Sequence, residues 1–129
     1  MIYVDSSVVL AEVFAELRRP EPDFWMRGRL ISSRLAEYEC WVRTHSYGRA
    51  GSHGPVLAER LGRLDLLALD EVTCARVRAP FPVPMRTLDA LHLATADYLR
   101  MQGFEPSIAT YDERLRTAAT ALGFAVAEP

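Results

Sequence analysis

The chain has 129 residues, of which 50% are hydrophobic and 25% charged, with a formal net charge of −2 at pH 7. This length suits one domain over residues 1–129, whose core needs neither disulfides nor a structural metal. The small negative charge excludes a globally basic surface for nucleic acid, and no apolar run is long enough to span a membrane. All 15 basic residues are arginine, which suits bidentate phosphate contacts at local sites.

The two cysteines, Cys40 and Cys74, are far apart and form no C-x-x-C motif. We expect both to be reduced thiols, as is usual for a cytoplasmic protein. The first residues, M-I-Y-V-D, lack a basic stretch followed by a long apolar run, so we expect no signal peptide. These features predict a cytoplasmic domain that does not associate with membranes.

The first half of the chain alternates short apolar runs with helix-like segments. Met1–Val4 predicts a strand that ends at Asp5, and Ser6 and Ser7 then offer a helix cap. Along the chain we expect a helix at Val8–Arg18, a strand at Leu30–Ser32, a helix from Arg34 to about His45, a glycine-rich loop at Tyr47–Pro55 and a helix at Val56–Leu64.

The second half continues the alternation, with the clearest signals near its end. Glycine follows two of its helical patterns directly, as is common just past a helix C-terminus. Strands that alternate with helices predict an α/β fold with three layers, in which helices cover both faces of a central parallel sheet of about five strands. The expected elements are a strand at Leu66–Leu69, a short helix at Glu71–Val77, a proline-punctuated loop at Ala79–Met85, helices at Thr87–Gln102 and Asp112–Leu122, and strands at Ser107–Ala109 and Phe124–Ala127.

Four acidic residues fall at predicted strand ends or in the first turns of the helices that follow. Each alone has a simple explanation, because a carboxylate in the first helical turn complements the helix dipole or caps the helix. In an open parallel sheet, however, these positions meet at one edge, where their charges would repel strongly. A divalent cation removes that repulsion, and oxygen-only ligands favour Mg²⁺ or Mn²⁺. The four residues are Asp5, Glu37, Asp89 and Asp112.

The order of four motifs resembles the PIN-domain ribonucleases and, more narrowly, the VapC toxins of bacterial toxin–antitoxin pairs. The motifs are M-I-Y-V-D-S-S, S-S-R-L-A-E, L-D-A-L-H-L-A-T-A and A-T-Y-D-E-R-L-R-T-A-A-T-A-L-G-F, and the resemblance covers essentially the whole chain. It implies a PIN-like three-layer α/β/α fold and an endoribonuclease that depends on Mg²⁺ or Mn²⁺. It also implies that the catalytic, metal-holding acids are Asp5, Glu37, Asp89 and Asp112, supported by the hydroxyl of Thr110 or Ser6.

The resemblance further implies an RNA substrate, either transfer RNA or a ribosomal RNA loop, together with a cognate VapB-type antitoxin and a toxin homodimer. Trp25 follows a proline-broken segment, which predicts an exposed ring in a partner groove. The hypothetical antitoxin groove comprises Phe14, Trp25 and Trp41, and the arginines near the sheet edge that are candidates for RNA contacts are Arg34, Arg43, Arg86 and Arg114.

Two other polar residues and two other functions need consideration. We expect His92 to be a packing histidine and Asp97 to be solvated or paired with a nearby arginine. A Rossmann-like phosphatase is disfavoured because phosphoaspartyl enzymes need a second Asp where this chain has Ser7, and a receiver domain needs a late lysine that is absent. The other alternative is a catalytically inactive PIN-like module that acts only by binding a protein.

Overall fold

The computed structural model describes residues 1–129 and contains one sheet of four parallel strands. The strands are β1 (Ile2–Val4), β2 (Leu30–Ser33), β3 (Asp65–Leu67) and β4 (Ser107–Ala109), in the spatial order β3-β2-β1-β4. The central strand β1 places Tyr3 opposite Ile31 on one side and Ile108 on the other. The carboxyl ends of β1, β2 and β4 therefore meet at one edge, and Asp5 follows directly after β1.

Six α-helices cover the sheet, and two short 3₁₀ turns lie between them at Phe24–Met26 and Ala75–Arg78. None of the helices is long and apolar enough to cross a membrane. The α-helices are α1 (Ser6–Val13), α2 (Arg34–Ser46), α3 (Ala50–Leu61), α4 (Glu71–Cys74), α5 (Thr87–Met101) and α6 (Glu113–Ala121).

The expected fifth strand at Phe124–Ala127 is reduced to a single parallel bridge between Ile108 and Val126. The Ile108 N–H donates to Ala125 at 2.8 Å, and the Ala127 N–H donates to Ile108 at 2.9 Å. This segment therefore runs beside β4 but pairs too briefly to form a strand. The α/β class and the parallel sheet are confirmed, and the count is four strands where about five were expected.

The predicted glycine-rich loop at Tyr47–Pro55 is wrong over most of its length, because α3 begins at Ala50 and includes Pro55. Gly54 faces Trp41 of α2, and a Cβ on Gly54 would lie 3.5 Å from that ring, an ordinary packing distance. Packing here outweighs the turn preference of the local sequence. The first helix, by contrast, ends earlier than predicted, at Val13 rather than Arg18. Ala15, just after it, adopts a positive φ of 50°.

Successive side chains of a strand point to opposite faces of the sheet, so alternate residues of the central strands pack into two separate hydrophobic layers. Val4 and Leu30 pack with α1, α2 and α3, whereas Tyr3, Ile31 and Ile108 pack with α5 and α6. The sheet is thus covered on both faces, and the helices that follow its strands begin at the same edge. This arrangement brings side chains from α1, α2, α5 and α6 to one place.

Trp25 is buried, with 8% of its surface exposed, and belongs to the core between the sheet and the first three helices. Its ring meets Phe24 edge-on at 5.3 Å, and the Arg60 guanidinium lies 5.8 Å from its centre. The prediction of an exposed Trp25 in a partner groove is therefore wrong. The 3₁₀ turn at Phe24–Met26 folds the proline-broken segment back onto the sheet, which turns both aromatic rings inward.

The two layers predict a clear difference between two leucines of α5. Leu93→Ala removes a fully buried side chain and should lower the free energy of unfolding by about 3 kcal/mol, because it leaves a cavity. Leu88→Ala, on the same helix but 48% exposed, should change it by less than about 1 kcal/mol. Urea unfolding monitored by circular dichroism measures both. Equal losses would contradict the described packing of α5.

Candidate metal centre

Asp5 occupies the edge of the sheet as the residue that links β1 to α1, and it is buried. Its Oδ2 accepts three hydrogen bonds: from the Ser7 N–H at 3.2 Å, the Ser7 hydroxyl at 2.5 Å and the Thr110 hydroxyl at 2.9 Å. Asp5 is thus the cap of α1, a role that sequence reasoning gave to the serines. With Oδ2 saturated, Oδ1 is the oxygen left to meet a ligand.

Ser7 and Thr110 are themselves held in place by the backbone after β4. The Tyr111 N–H donates to the Ser7 hydroxyl and the Asp112 N–H donates to the Thr110 hydroxyl, both at 3.0 Å. Each hydroxyl therefore accepts from one backbone amide and donates to Asp5. Thr110 lies where its supporting role was expected, whereas Ser7 rather than Ser6 provides the second hydroxyl. This network fixes the Asp5 carboxylate relative to the start of α6.

Glu39 and His92 complete the inner part of the cluster. Nε2 of His92 lies 2.7 Å from Oε2 of Glu39 and 3.5 Å from Oδ1 of Asp5. Its Nδ1 lies 2.9 Å from the Tyr3 hydroxyl. His92 is fully buried and hydrogen-bonded, as expected of a packing histidine, but it also contacts two acids. Burial opposes its charge, yet the contacts with Tyr3, Glu39 and Asp5 outweigh that effect and raise the pKa of His92 well above its ordinary value.

Asp89 and Asp112 line the same cleft as Asp5 and Glu39, a cavity of about 530 Å³. Asp89 lies in the first turn of α5. Asp112 caps α6, because its carboxylate accepts hydrogen bonds from the Arg114 and Leu115 amides at 2.8 and 3.2 Å. Partial burial, followed by the nearby charges of Asp112 and Asp5, raises the pKa of the Asp89 carboxyl. The carboxylates are therefore close enough to repel one another.

Glu37 is not brought to this cleft. Its carboxylate accepts a 2.7 Å hydrogen bond from Arg34, and both side chains line a different cavity together with Trp41. Residues two apart on a helix point in very different directions, so Glu37 and Glu39 cannot share a site. The spacing of the buried residues along α2 is the sequence signal that distinguishes the two glutamates. Glu39 lies one turn after the buried residues Leu35 and Ala36, so it shares their face of the helix.

The candidate RNA-contacting arginines divide in the same way. Arg43 and Arg86 line the carboxylate cleft, and Arg114 lines an adjoining cavity that also includes Arg86 and Asp89. Arg34 forms an ion pair with Glu37, outside the cleft.

Among the aromatic residues, Phe14 lines the cleft, whereas Trp41 lies beside Glu37. Asp97 forms ion pairs with Arg76 and Arg100, as expected of a structural acid.

The donor set suits a divalent cation held by oxygen. Asp5, Glu39 and His92 offer ligand atoms within 4.8 Å of one another. Both ring nitrogens of His92 already have partners, so the histidine orients Glu39 instead of competing for an ion. No arginine forms an ion pair with Asp5, Asp89 or Asp112. Carboxylates that share one cleft without arginine partners match the preference of Mg²⁺ and Mn²⁺ for oxygen ligands.

Two glutamates on one helix give a matched test of this arrangement. Mn²⁺ should raise the melting temperature of the parent protein, because an ion that binds only the folded state stabilises it. Glu39→Gln should reduce that increase strongly, whereas Glu37→Gln should leave it unchanged. Differential scanning fluorimetry with Mn²⁺ and with EDTA measures both variants. A loss confined to Glu37→Gln would show that the wrong glutamate has been placed at the centre.

Comparison with known proteins identifies the family of this chain. Residues 2–121 match the family described as "PIN domain". Ribonuclease VapC46 of Mycobacterium tuberculosis is 37% identical over 133 residues, which cover 99% of this chain and 97% of the relative. Ribonuclease VapC35 of the same species is 33% identical over 134 residues, which cover 100% of this chain and 97% of the relative.

Among solved structures, a toxin–antitoxin complex from Klebsiella pneumoniae contains a chain with the same fold. The TM-score is 0.59 at 15% sequence identity, and the match covers 94% of each chain. At that identity the likeness concerns the fold alone. The sequence relatives and the family match together cover nearly the whole chain, and the phosphatase alternative is set aside. The chain belongs to the PIN-domain family, as a nuclease of the VapC type.

Proposed function

We propose that this protein is an endoribonuclease that depends on Mg²⁺ or Mn²⁺ and acts as the toxin of a toxin–antitoxin pair. The observation that carries the proposal is the set of carboxylates at the sheet edge without arginine ion pairs, in a cleft that arginines also border. Such an arrangement stabilises a cation and, with it, a phosphate group. The names of the full-length relatives support RNA as the substrate.

The metal would be held by Asp5, Glu39, Asp89 and Asp112. When bound, a divalent cation lowers the pKa of water and stabilises the negative charge that develops on the phosphate. Asp5 presents one oxygen because Ser7 and Thr110 hold the other, and His92 holds Glu39 in position. The protein's own contribution is therefore a rigid set of carboxylates that needs little rearrangement when the ion binds.

Arginines that border the carboxylate cleft suit the phosphates that flank the scissile bond. Arg86 borders both the carboxylate cleft and the adjoining cavity, which also contains Arg114. Arg43 lies in the cleft on α2, one turn after Glu39. An RNA backbone that crosses the acids would meet these positive charges beside the reacting phosphate, which aligns it for attack. Arg34 is left out of this role because it pairs with Glu37.

Replacement of one acid gives the direct test of activity. Asp5→Asn or Asp89→Asn keeps the side-chain shape but removes a negative ligand, and should reduce RNA cleavage by about a hundredfold or more. Asp89→Asn should also raise the melting temperature in EDTA, because repulsion with Asp112 and Asp5 falls. Cleavage of labelled RNA with Mg²⁺, with Mn²⁺ and with EDTA is the measurement. Full activity of both variants, or of the parent in EDTA, would overturn the proposal.

The two serines after Asp5 separate a supporting hydroxyl from a neighbouring one. Ser7→Ala removes a donor to Asp5 and should reduce cleavage or Mn²⁺ affinity by about ten- to a hundredfold. Ser6→Ala changes no hydrogen bond to Asp5 and is the matched control. Steady-state cleavage and Mn²⁺ titration of both variants measure the difference. A larger defect in Ser6→Ala would contradict the role given to Ser7.

The remaining parts of the proposal concern substrates and partners. Transfer RNA and a ribosomal RNA loop are the two proposed targets, and mapping of cleaved RNA ends after induction distinguishes them. We also propose a homodimer and a VapB-type antitoxin. Burial of Trp25 removes it from the antitoxin surface, while Val42 on α2 is 65% exposed and offers apolar area. Free cysteines and an intracellular RNA target favour the cytoplasm.

A further inference from the structure

The carboxylate cleft extends beyond the acids to a group of aromatic side chains that the proposed chemistry does not use. Phe14 and Tyr47 lie at the far ends of α1 and α2 and line the same cleft as Asp5 and Glu39. Their ring centres are 5.3 Å apart in an edge-on arrangement. Tyr111 also lines the cleft, with the Arg18 guanidinium 4.8 Å from its ring centre.

Along α2, the side chains that line the cleft change in chemical type from one helical turn to the next. Glu39, Arg43 and Tyr47 are spaced four residues apart and all face the cleft, so a carboxylate, a cation and an aromatic ring follow one another. Tyr47 is about 12 Å beyond Glu39 at the helical rise of 1.5 Å per residue. The Arg43 guanidinium lies 5.9 Å from the Tyr47 ring centre and 3.5 Å from its hydroxyl. Along α2, Arg43 therefore lies between Glu39 and Tyr47.

Core packing explains Phe14 but not Tyr47. Phe14 is partly buried and contacts both Tyr47 and His53, which ties the ends of three helices together. Tyr47 is 54% exposed and offers its ring to the cleft. Exposed aromatic rings beside arginine in a groove are the usual platform for the bases of single-stranded nucleic acid. Continuity with the carboxylates favours RNA over a protein partner as the occupant of this end.

We propose that Tyr47, backed by Phe14, stacks on an unpaired base that flanks the cleavage site, while Arg43 holds the phosphate between that base and the acids. This inference rests on the proposed nuclease function and deepens it, because it selects RNA that is single-stranded on one side of the scissile bond. Tyr47 is then a specificity-determining residue that acts on substrate binding. It touches no reacting atom.

A second tyrosine on α2 provides a matched control. Tyr38 is 57% exposed, close to the value for Tyr47, but does not line the carboxylate cleft. Tyr47→Leu should raise the KM for a short single-stranded oligoribonucleotide about tenfold with little change in kcat, because loss of one stacked base weakens binding. Tyr47→Phe should restore the parent KM, and Tyr38→Leu should leave it unchanged.

A binding measurement makes the test independent of cleavage and of variant folding. Asp89→Asn protein is mixed with oligouridylates that carry one fluorescent aminopurine base at successive positions, and stacking on Tyr47 should quench one position selectively. An active parent enzyme without any quenched position would overturn the stacking role and leave the nuclease function standing. Equal KM changes in Tyr47→Leu and Tyr38→Leu would overturn it as well, and so would a Tyr47→Leu variant that loses only antitoxin binding.

Discussion

Repulsion between carboxylates at one edge of a parallel sheet is the constraint on which the rest of this structure depends. Asp5 is buried with one oxygen saturated by hydroxyls, and partial burial together with the nearby charges of Asp112 and Asp5 raises the pKa of Asp89. No arginine of the chain forms an ion pair with these three acids, although arginines border the cleft and His92 Nε2 lies 3.5 Å from Asp5. The fold therefore stores an electrostatic cost that a bound cation relieves. Asp89 and Asp112 have no ion-pair partner, in contrast to Glu37 and Asp97, which are paired with arginines.

Support around the acids is as specific as the acids themselves. Ser7 and Thr110 connect Asp5 to the backbone that starts α6, and His92 connects Glu39 to Tyr3 in β1. These contacts join elements that are distant in sequence, so the carboxylate geometry depends on the assembled sheet and not on any one motif. Rigid ligands of this kind bind an ion with little loss of conformational entropy, which is the usual basis of a preorganised centre.

Sequence reasoning located the parts of the site that follow directly from element boundaries. Asp5, Asp89 and Asp112 each lie at a strand end or helix start, and all three line the cleft. Glu37 was predicted because it falls early in the helix after β2, and only the burial phase set by Leu35 and Ala36 identifies Glu39 as the residue that faces the cleft. The prediction of an exposed Trp25 was wrong for a related reason. The prolines predicted an interruption of the helix, but the folding of that segment back onto the core depends on tertiary packing. The same applies to α3, whose contact between Gly54 and Trp41 no local pattern predicts.

A crystal of the protein grown with Mn²⁺ and examined at an X-ray wavelength where manganese scatters anomalously gives the most direct test of the shared centre. One anomalous peak should lie among carboxylate oxygens of Asp5, Glu39, Asp89 and Asp112, with Oδ1 of Asp5 as a direct or water-bridged ligand and Glu37 still paired with Arg34. A peak beside Glu37, or an unfilled cleft at saturating Mn²⁺, would contradict the assignment of these four acids to one cation.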